Sequence, residues 1–192
     1  MKKIGLTGGI GSGKTTISKV FELLKVPIYN SDKVAKNIMS KNSYVKHQII
    51  KNFGKEVLIN NKIDNKKLSI LLFNDKKKIE IINDIIHPLV KADFNRWCEK
   101  KNNKYIIKES ALIFSSNSYL ELDEIIFTKC PMELRIKRVM KRDNKTKKQV
   151  ESIINNQSSE KFFEENCKYI IFNNEKAFLT PQIIKLHEIF IK

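Results

Sequence analysis

The segment Gly8-Gly9-Ile10-Gly11-Ser12-Gly13-Lys14-Thr15 constrains this chain more than any other. Gly8, Gly13, Lys14 and Thr15 satisfy the pattern G-x-x-x-x-G-K-[ST], and the flanks put it between a strand and a helix. Lys3-Ile4-Gly5-Leu6 reads as a short buried strand, and Ile17, Val20, Phe21 and Leu24 recur at the i, i+3, i+4, i+7 spacing of a helix stripe. A loop that wraps a polyphosphate with backbone N–H groups must curl tightly and approach closely, which residues without Cβ allow. Gly8, Gly9, Gly11, Ser12 and Gly13 are therefore read as the cradle. The helix start adds partial positive charge, Lys14 reaches the terminal phosphates, and the Thr15 hydroxyl is suited to Mg²⁺, with Thr16 beside it. Five of the six glycines lie between positions 5 and 13, so glycine is not a general habit of this chain. A turn that bound nothing would need neither Lys nor Thr at these places.

A length of 192 residues with 41% hydrophobic content supports one substantial core, or one core with a small appended subdomain. No apolar run approaches membrane-spanning length, and glycines with Lys14 interrupt what a signal peptide would need after Met1-Lys2-Lys3. No membrane association is expected. Cys98, Cys130 and Cys167 are odd in number, far apart and without a C-x-x-C pair, so neither a disulfide framework nor a zinc site is indicated. A reducing, cytoplasmic setting and a monomer or weak oligomer are expected.

The net charge of +16 raises nucleic-acid binding as a possibility. Against it, all but four of the 37 basic residues are lysine, spread along a chain also rich in Asn and Ile. That pattern reads as solvated charge rather than a groove, and no specific nucleic acid is expected. The same bias makes the arginines informative. Arg135, Arg138 and Arg142 share one face of a helix, where a planar guanidinium can grip phosphate oxygens in two places. The alternative is a helix surface paired to Glu133 or Asp143.

Along the chain, apolar strand-like runs at 26–30, 104–108, 124–128 and 169–172 alternate with helical patterns at 132–141, 147–155 and 180–191. Residues 32 to 100 read as mainly helical, with a polar turn at Asn60-Asn61-Lys62 and a longer helix around Ile79 to Trp97. The predicted fold class is α/β, a doubly wound parallel sheet whose ligands lie beyond the carboxyl ends of the strands, where Asp32, Glu109 and Lys129 fall.

Asp32 follows the second strand and has two readings, an acid that orients an attacking hydroxyl or a helix cap shared with Ser31. His87-Pro88 closes an apolar segment, and Pro88 is expected to break or kink the helix there. His87 is either structural or part of a substrate pocket. Asn61-Lys62-Ile63-Asp64 matches the N-K-x-D guanine-reading pattern, yet it sits in a polar turn and the chain contains no D-x-x-G sequence.

With these residues in view, the chain resembles the dephospho-CoA kinase family nearly end to end. The family opening G-L-T-G-G-I-x-S-G-K-[ST] is matched by Gly5 to Thr15, and Asp32 matches the second acid of D-A-D. His87-Pro88 matches H-P, Leu112-Ile113-Phe114 matches L-L-F of P-L-L-F-E, and Arg138 with Arg142 matches R-x-x-x-R of the lid. Gln157, Lys161 and Asn173 match a following Q, K and N. Asn30, Ala111, Ser115, Lys168 and Glu175 depart from the pattern. The resemblance implies a P-loop NTPase-type fold spanning 1–192, with a helical substrate subdomain at about 33–103 and a lid at about 135–165. It implies ATP and Mg²⁺ as cofactors and dephospho-CoA as the small-molecule substrate, phosphorylated at its ribose 3′-hydroxyl in the last step of CoA biosynthesis. Lys14, Asp32 and Arg138 would be catalytic. Arg142 and Asn173 would contact nucleotide, and His87, Leu112 and Phe114 would contact substrate. A nucleoside monophosphate kinase is the runner-up, followed by a nucleic-acid-associated P-loop ATPase and an inactive nucleotide-binding remnant.

Overall fold

The computed structural model describes residues 1–72 and 75–192. In chain order its elements are β1 (Lys2–Thr7), α1 (Lys14–Leu23), β2 (Ile28–Asn30), α2 (Ser31–Lys41), α3 (Ser43–Phe53), β3 (Leu58–Ile59), β4 (Lys62–Ile63) and α4 (Asn65–Leu72). There follow α5 (Lys76–Glu99), β5 (Tyr105–Glu109), β6 (Glu124–Lys129), α6 (Met132–Asp143), α7 (Lys147–Asn155), α8 (Glu160–Asn166), β7 (Tyr169–Phe172) and α9 (Leu179–Phe190). The chain divides into two units, residues 1–30 with 101–192, and residues 31–100.

The first unit is built on a five-stranded parallel sheet in the order β2-β5-β1-β6-β7. Its strands are apolar on both faces because helices cover both. Ile4, Leu6, Ile126 and Ile171 pack with Ile17 and Phe21 of α1 and Ile183, Leu186 and Phe190 of α9. The alternate positions Ile125, Phe127 and Ile170 pack instead with Phe114, Phe163 of α8 and Cys167, as the two-residue period of a strand requires. The rings of Phe127 and Phe163 stack at 5.0 Å. That contact seats α8, a helix too short for its periodicity to announce it. β1 has β5 on one side and β6 on the other, so the order of the chain through the sheet reverses at the carboxyl end of β1. In open α/β sheets this switch point is where ligands bind.

The second unit is helical, with one addition. Its core takes Val45, Ile49 and Phe53 from α3 and Ile82, Ile86, Val90 and Phe94 from α5, each set at four-residue spacing. Of the break or kink expected at Pro88, the break does not occur: α5 runs through it as one helix, which spans the longer helix read around Ile79 to Trp97. Proline inside a helix costs about 3 kcal/mol. The four buried side chains flanking Pro88 on both sides contribute roughly 1.5–3 kcal/mol each, and so keep both halves of the helix in place. The polar turn at 60–62 is the tip of an antiparallel hairpin, β3 with β4, in which Asn60 and Asn61 take left-handed φ values of 48° and 60°. Asparagine tolerates that conformation at a tight hairpin turn. The residues of the N-K-x-D match are thereby accounted for: Asn61 makes the turn, Lys62 and Ile63 form β4, and Asp64 accepts the backbone N–H groups of Lys66 and Lys67 at the start of α4.

Candidate active site

The loop between β1 and α1 lies at the switch point of the sheet. Gly11 and Gly13 have φ values of 76° and 96°, which a side chain would strain. Among the described residues no side chain caps the start of α1, which leaves the positive end of that helix to an anion. The Lys14 ammonium donates to the carbonyls of Gly8 at 2.7 Å and Gly9 at 3.3 Å, so it lies across the loop. The buried hydroxyl oxygens of Thr7, Ser12 and Thr128 find no hydrogen-bond partner among the described residues. A Cβ built on Gly8 would stand 2.8 Å from the Ser12 Oγ and 3.2 Å from the Thr128 Cβ, which places these hydroxyl residues at the base of the loop.

One wall of the loop is acidic. Glu109, at the carboxyl end of β5, is 4% exposed. It accepts hydrogen bonds from the Thr15 hydroxyl at 2.9 Å, the Ser18 hydroxyl at 2.9 Å and the Asn30 amide at 3.1 Å. The register that sets Leu6 and Asn30 opposite Glu109 brings these groups together. Alternation along the sequence puts Glu109 at the productive edge of the sheet but does not connect it to Thr15. The only local signal is a carboxylate ending an apolar strand.

The other wall is cationic, and its three arginines behave differently. Arg135 is buried, and its Nε donates to the Ile10 carbonyl at 3.0 Å. Arg138 is half-buried and donates to the Cys130 Sγ at 3.3 Å, the Asn173 Oδ1 at 3.5 Å and the Glu175 Oε1 at 3.1 Å. Burial pushes the Cys130 thiol pKa up, and the two nearby guanidiniums oppose that only in part. Arg142 is exposed and forks onto Asp143, whose hydrogen bonds raise its pKa. This is the alternative considered for the helix surface. Asn173 is 8% exposed and donates to the Ser12 carbonyl at 2.7 Å. A Cβ on Gly13 would fall 2.0 Å from its amide nitrogen, so Asn173 braces the loop and meets Arg138 at once. Thr16, in the first turn of α1, is exposed and its N–H bonds to the Gly13 carbonyl.

After β5 the chain turns through Leu112, which is exposed, and Phe114, whose ring meets Phe162 edge-on at 5.1 Å and stacks on Tyr119. Leu112 and Phe114 line a cavity of about 70 Å³ together with Asn156 and Gln157. In the helical unit, Asp32 stands half-buried in the first turn of α2, directly after the residue that follows β2, and His87 is half-buried within α5.

The family model described as Dephospho-CoA kinase matches residues 2–178. The chain belongs to the dephospho-CoA kinase family. A dephospho-CoA kinase of Bacteroides fragilis is 35% identical to it over 185 residues, which is 96% of this chain and 90% of the relative. A solved dephospho-CoA kinase from Campylobacter jejuni superposes with a TM-score of 0.69 at 25% identity, covering 98% of this chain and 96% of that one. A Thermus thermophilus structure superposes with a TM-score of 0.83 at 21% identity, covering 98% and 95%, and shows the same fold. Among the described residues no helix is long and apolar enough to cross a membrane.

Proposed function

We propose that residues 8–15 hold the polyphosphate of ATP and that the acidic and cationic walls of this loop divide the work of phosphoryl transfer. The chain is an ATP-dependent kinase of dephospho-CoA. The observation that carries the site assignment is the Gly8–Thr15 loop at the switch point, with the Lys14 ammonium across it and the Thr15 hydroxyl bonded to Glu109. Lys14 and the loop N–H groups bind the outer phosphates, and the Ser12 hydroxyl gains an anionic partner there. Arg138, joined to the loop through Asn173, stabilises the charge that spreads over the transferring group.

The hard oxygens of Thr15 and Glu109 fit Mg²⁺, which is commonly held by few protein ligands and completed by phosphates and water. When bound there, Mg²⁺ supplies charge neutralisation at the phosphates. Asp32 orients the ribose 3′-hydroxyl and accepts its proton late, consistent with a loose transition state. Residues 33–103 serve the acceptor, and residues 135–165 serve as the lid. The helical unit carries an open cavity of about 400 Å³, lined by Val34, Asn37, Ile38, Lys41, Asn42 and Asp93, whose apolar and amide groups, with one cation and one carboxylate, suit the base and ribose of a nucleotide fragment. His87, Leu112 and Phe114 are assigned to the same acceptor. The three buried cysteine thiols fit a reducing, cytoplasmic setting.

The test is product formation. Purified protein with ATP, Mg²⁺ and dephospho-CoA should yield CoA and ADP in equal amounts, and Asp32→Asn should depress kcat while leaving ATP affinity nearly unchanged. ATP consumption without CoA, or faster transfer to a nucleoside monophosphate, would overturn the acceptor assignment. An unchanged kcat in Asp32→Asn would leave Asp32 as a first-turn carboxylate that complements the start of α2.

A further inference from the structure

Arg135 is not among the residues that the phosphate-loop pattern or the family resemblance assigns to the reaction, yet it is the most enclosed arginine of the loop's surroundings, with a side chain 6% exposed. A guanidinium buried that deeply is tolerated only when its donors are matched. Its Nε donates to the Ile10 carbonyl at 3.0 Å, Nη2 to the Gln157 Oε1 at 3.3 Å and Nη1 to the Glu160 Oε1 at 3.3 Å. The same Gln157 oxygen accepts the Ile10 N–H at 2.9 Å. Both backbone polar groups of Ile10, the residue between Gly9 and Gly11, are thus held from outside the loop by two side chains that also bond to each other.

The neighbouring glycines show how close this clasp is. A Cβ on Gly9 would fall 2.0 Å from the Arg135 Nη2, and one on Gly11 would fall 2.6 Å from the Arg135 carbonyl. The Ile10 side chain packs on Ile136, Val139, Val150 and Ile154, anchoring the loop tip to α6 and α7 as well. A glycine-rich loop loses much conformational freedom when it orders around a ligand, and holding it in shape beforehand raises affinity. The three bonds leave from three separate nitrogens of one planar fork, a spread that the single nitrogen of lysine cannot reproduce, which explains an arginine here in a lysine-rich chain.

We propose that Arg135 is a positioning residue for the nucleotide. With Gln157 it clasps Ile10 in the conformation that receives the polyphosphate, and through Glu160 it ties that conformation to the start of α8. The inference rests on the loop binding ATP.

The experiment measures ATP dissociation by calorimetry, together with kcat, both KM values and melting temperature, for wild type, Arg135→Met, Arg135→Gln and Arg135→Lys. Arg135→Met should weaken ATP binding by about 10- to 100-fold, the loss of a charge-assisted hydrogen bond, while KM for dephospho-CoA stays near wild type. Arg135→Gln should recover part of that loss, because its amide nitrogen falls at the position of the arginine Nε and can restore the bond to the Ile10 carbonyl. Arg135→Lys, whose only nitrogen lies one atom further out, should recover less. Rescue by Lys and not by Gln would overturn the proposal in favour of direct attraction between charge and phosphate. A lowered melting temperature in Arg135→Met with unchanged ATP affinity would overturn it in favour of packing alone. If Arg135→Met does not fold, Gln157→Leu opens the other half of the clasp, and unchanged ATP binding in that variant overturns the proposal equally. Wild-type protein that fails to bind ATP would remove the nucleotide assignment itself, a result distinguishable from all of these.

Discussion

The two walls of the phosphate loop are built on opposite logic. On the β5 side a single carboxylate, Glu109, is held by three neutral donors that come from α1 and β2. On the α6 side two guanidiniums are held by a mixture of neutral acceptors and one carboxylate each, Glu160 for Arg135 and Glu175 for Arg138. Neutral donors aim the Glu109 carboxylate without an opposing charge, which suits the proposed role of facing Mg²⁺. Carboxylate partners partly offset the arginine charges and keep them in position; on the proposed role, Arg138 would exchange Glu175 for phosphate before acting. One wall is ready as it stands, and the other is held in reserve.

The largest test of this contrast removes the reserve. Arg138→Ala should lower kcat by about 10³-fold, the scale of an arginine that stabilises the transferring phosphate. Arg138→Lys should remain impaired because a point charge lacks the guanidinium fork. Steady-state assays decide it, and a kcat within a few-fold of wild type would leave Arg138 as a brace for Asn173. Next in size is the acidic wall. Glu109→Gln preserves shape but removes charge, and should lower kcat by about 10²-fold while raising the Mg²⁺ concentration needed for half-maximal rate. An unchanged Mg²⁺ dependence would mean that Glu109 only orders Thr15 and Ser18.

A third test loads the packing behind the β6 side of the sheet rather than either wall. Burial pushes the Cys167 thiol up to about 12. The folded chain keeps the proton there, whereas the unfolded chain releases it once pH passes the ordinary thiol value of ~8.5. This group therefore costs no stability below that pH. Above it, stability falls by up to about 1.4 kcal/mol per pH unit until the folded value is reached. Cys167→Ala should flatten the loss of melting temperature expected between about pH 8 and 10, and an equal slope in both proteins would assign the alkaline loss elsewhere. The smallest effect belongs to Glu175, which holds a left-handed φ of 64°. Glu175→Gly relieves that strain but frees the unfolded chain, so stability should change by no more than about 1 kcal/mol. ATP KM should fall modestly as Arg138 loses its competing carboxylate. A higher KM would show that Glu175 presents Arg138 to the nucleotide instead of restraining it.

How far the sequence could be read follows from the range of each interaction. The loop, its flanking strand and helix, and the parallel strands were legible because their signals are local: glycine placement, a helix stripe, and apolar runs bounded by polar residues. α8 was missed because it is short and is seated by rings, Phe163 on Phe127 and Phe162 on Phe114, whose partners lie far back in the chain. At Pro88 the local chemistry left a break or a kink open while the apolar stripe from Ile79 to Trp97 ran across it, and burial on both sides decided for one continuous helix. Within the site, Lys14 bonds to residues five and six positions away and could be placed from the pattern. Thr15 meets Glu109 across 94 positions, and Asn173 meets Ser12 across 161. No periodicity reports such pairs.

What the residues determined unaided is the chemistry on offer: a backbone that only glycine permits at the turn, a lysine and a threonine at the head of a helix, and a fold class that brings strand ends to one edge. The tertiary structure decided which groups stand around the loop. It made Glu109 the partner of Thr15, turned Arg135 inward and Arg142 outward, and set Asn173 against the loop. The physical reason is that conformational preference acts over a few neighbouring residues, whereas strand order, register and the docking of α6 are settled by burial summed over the whole sheet.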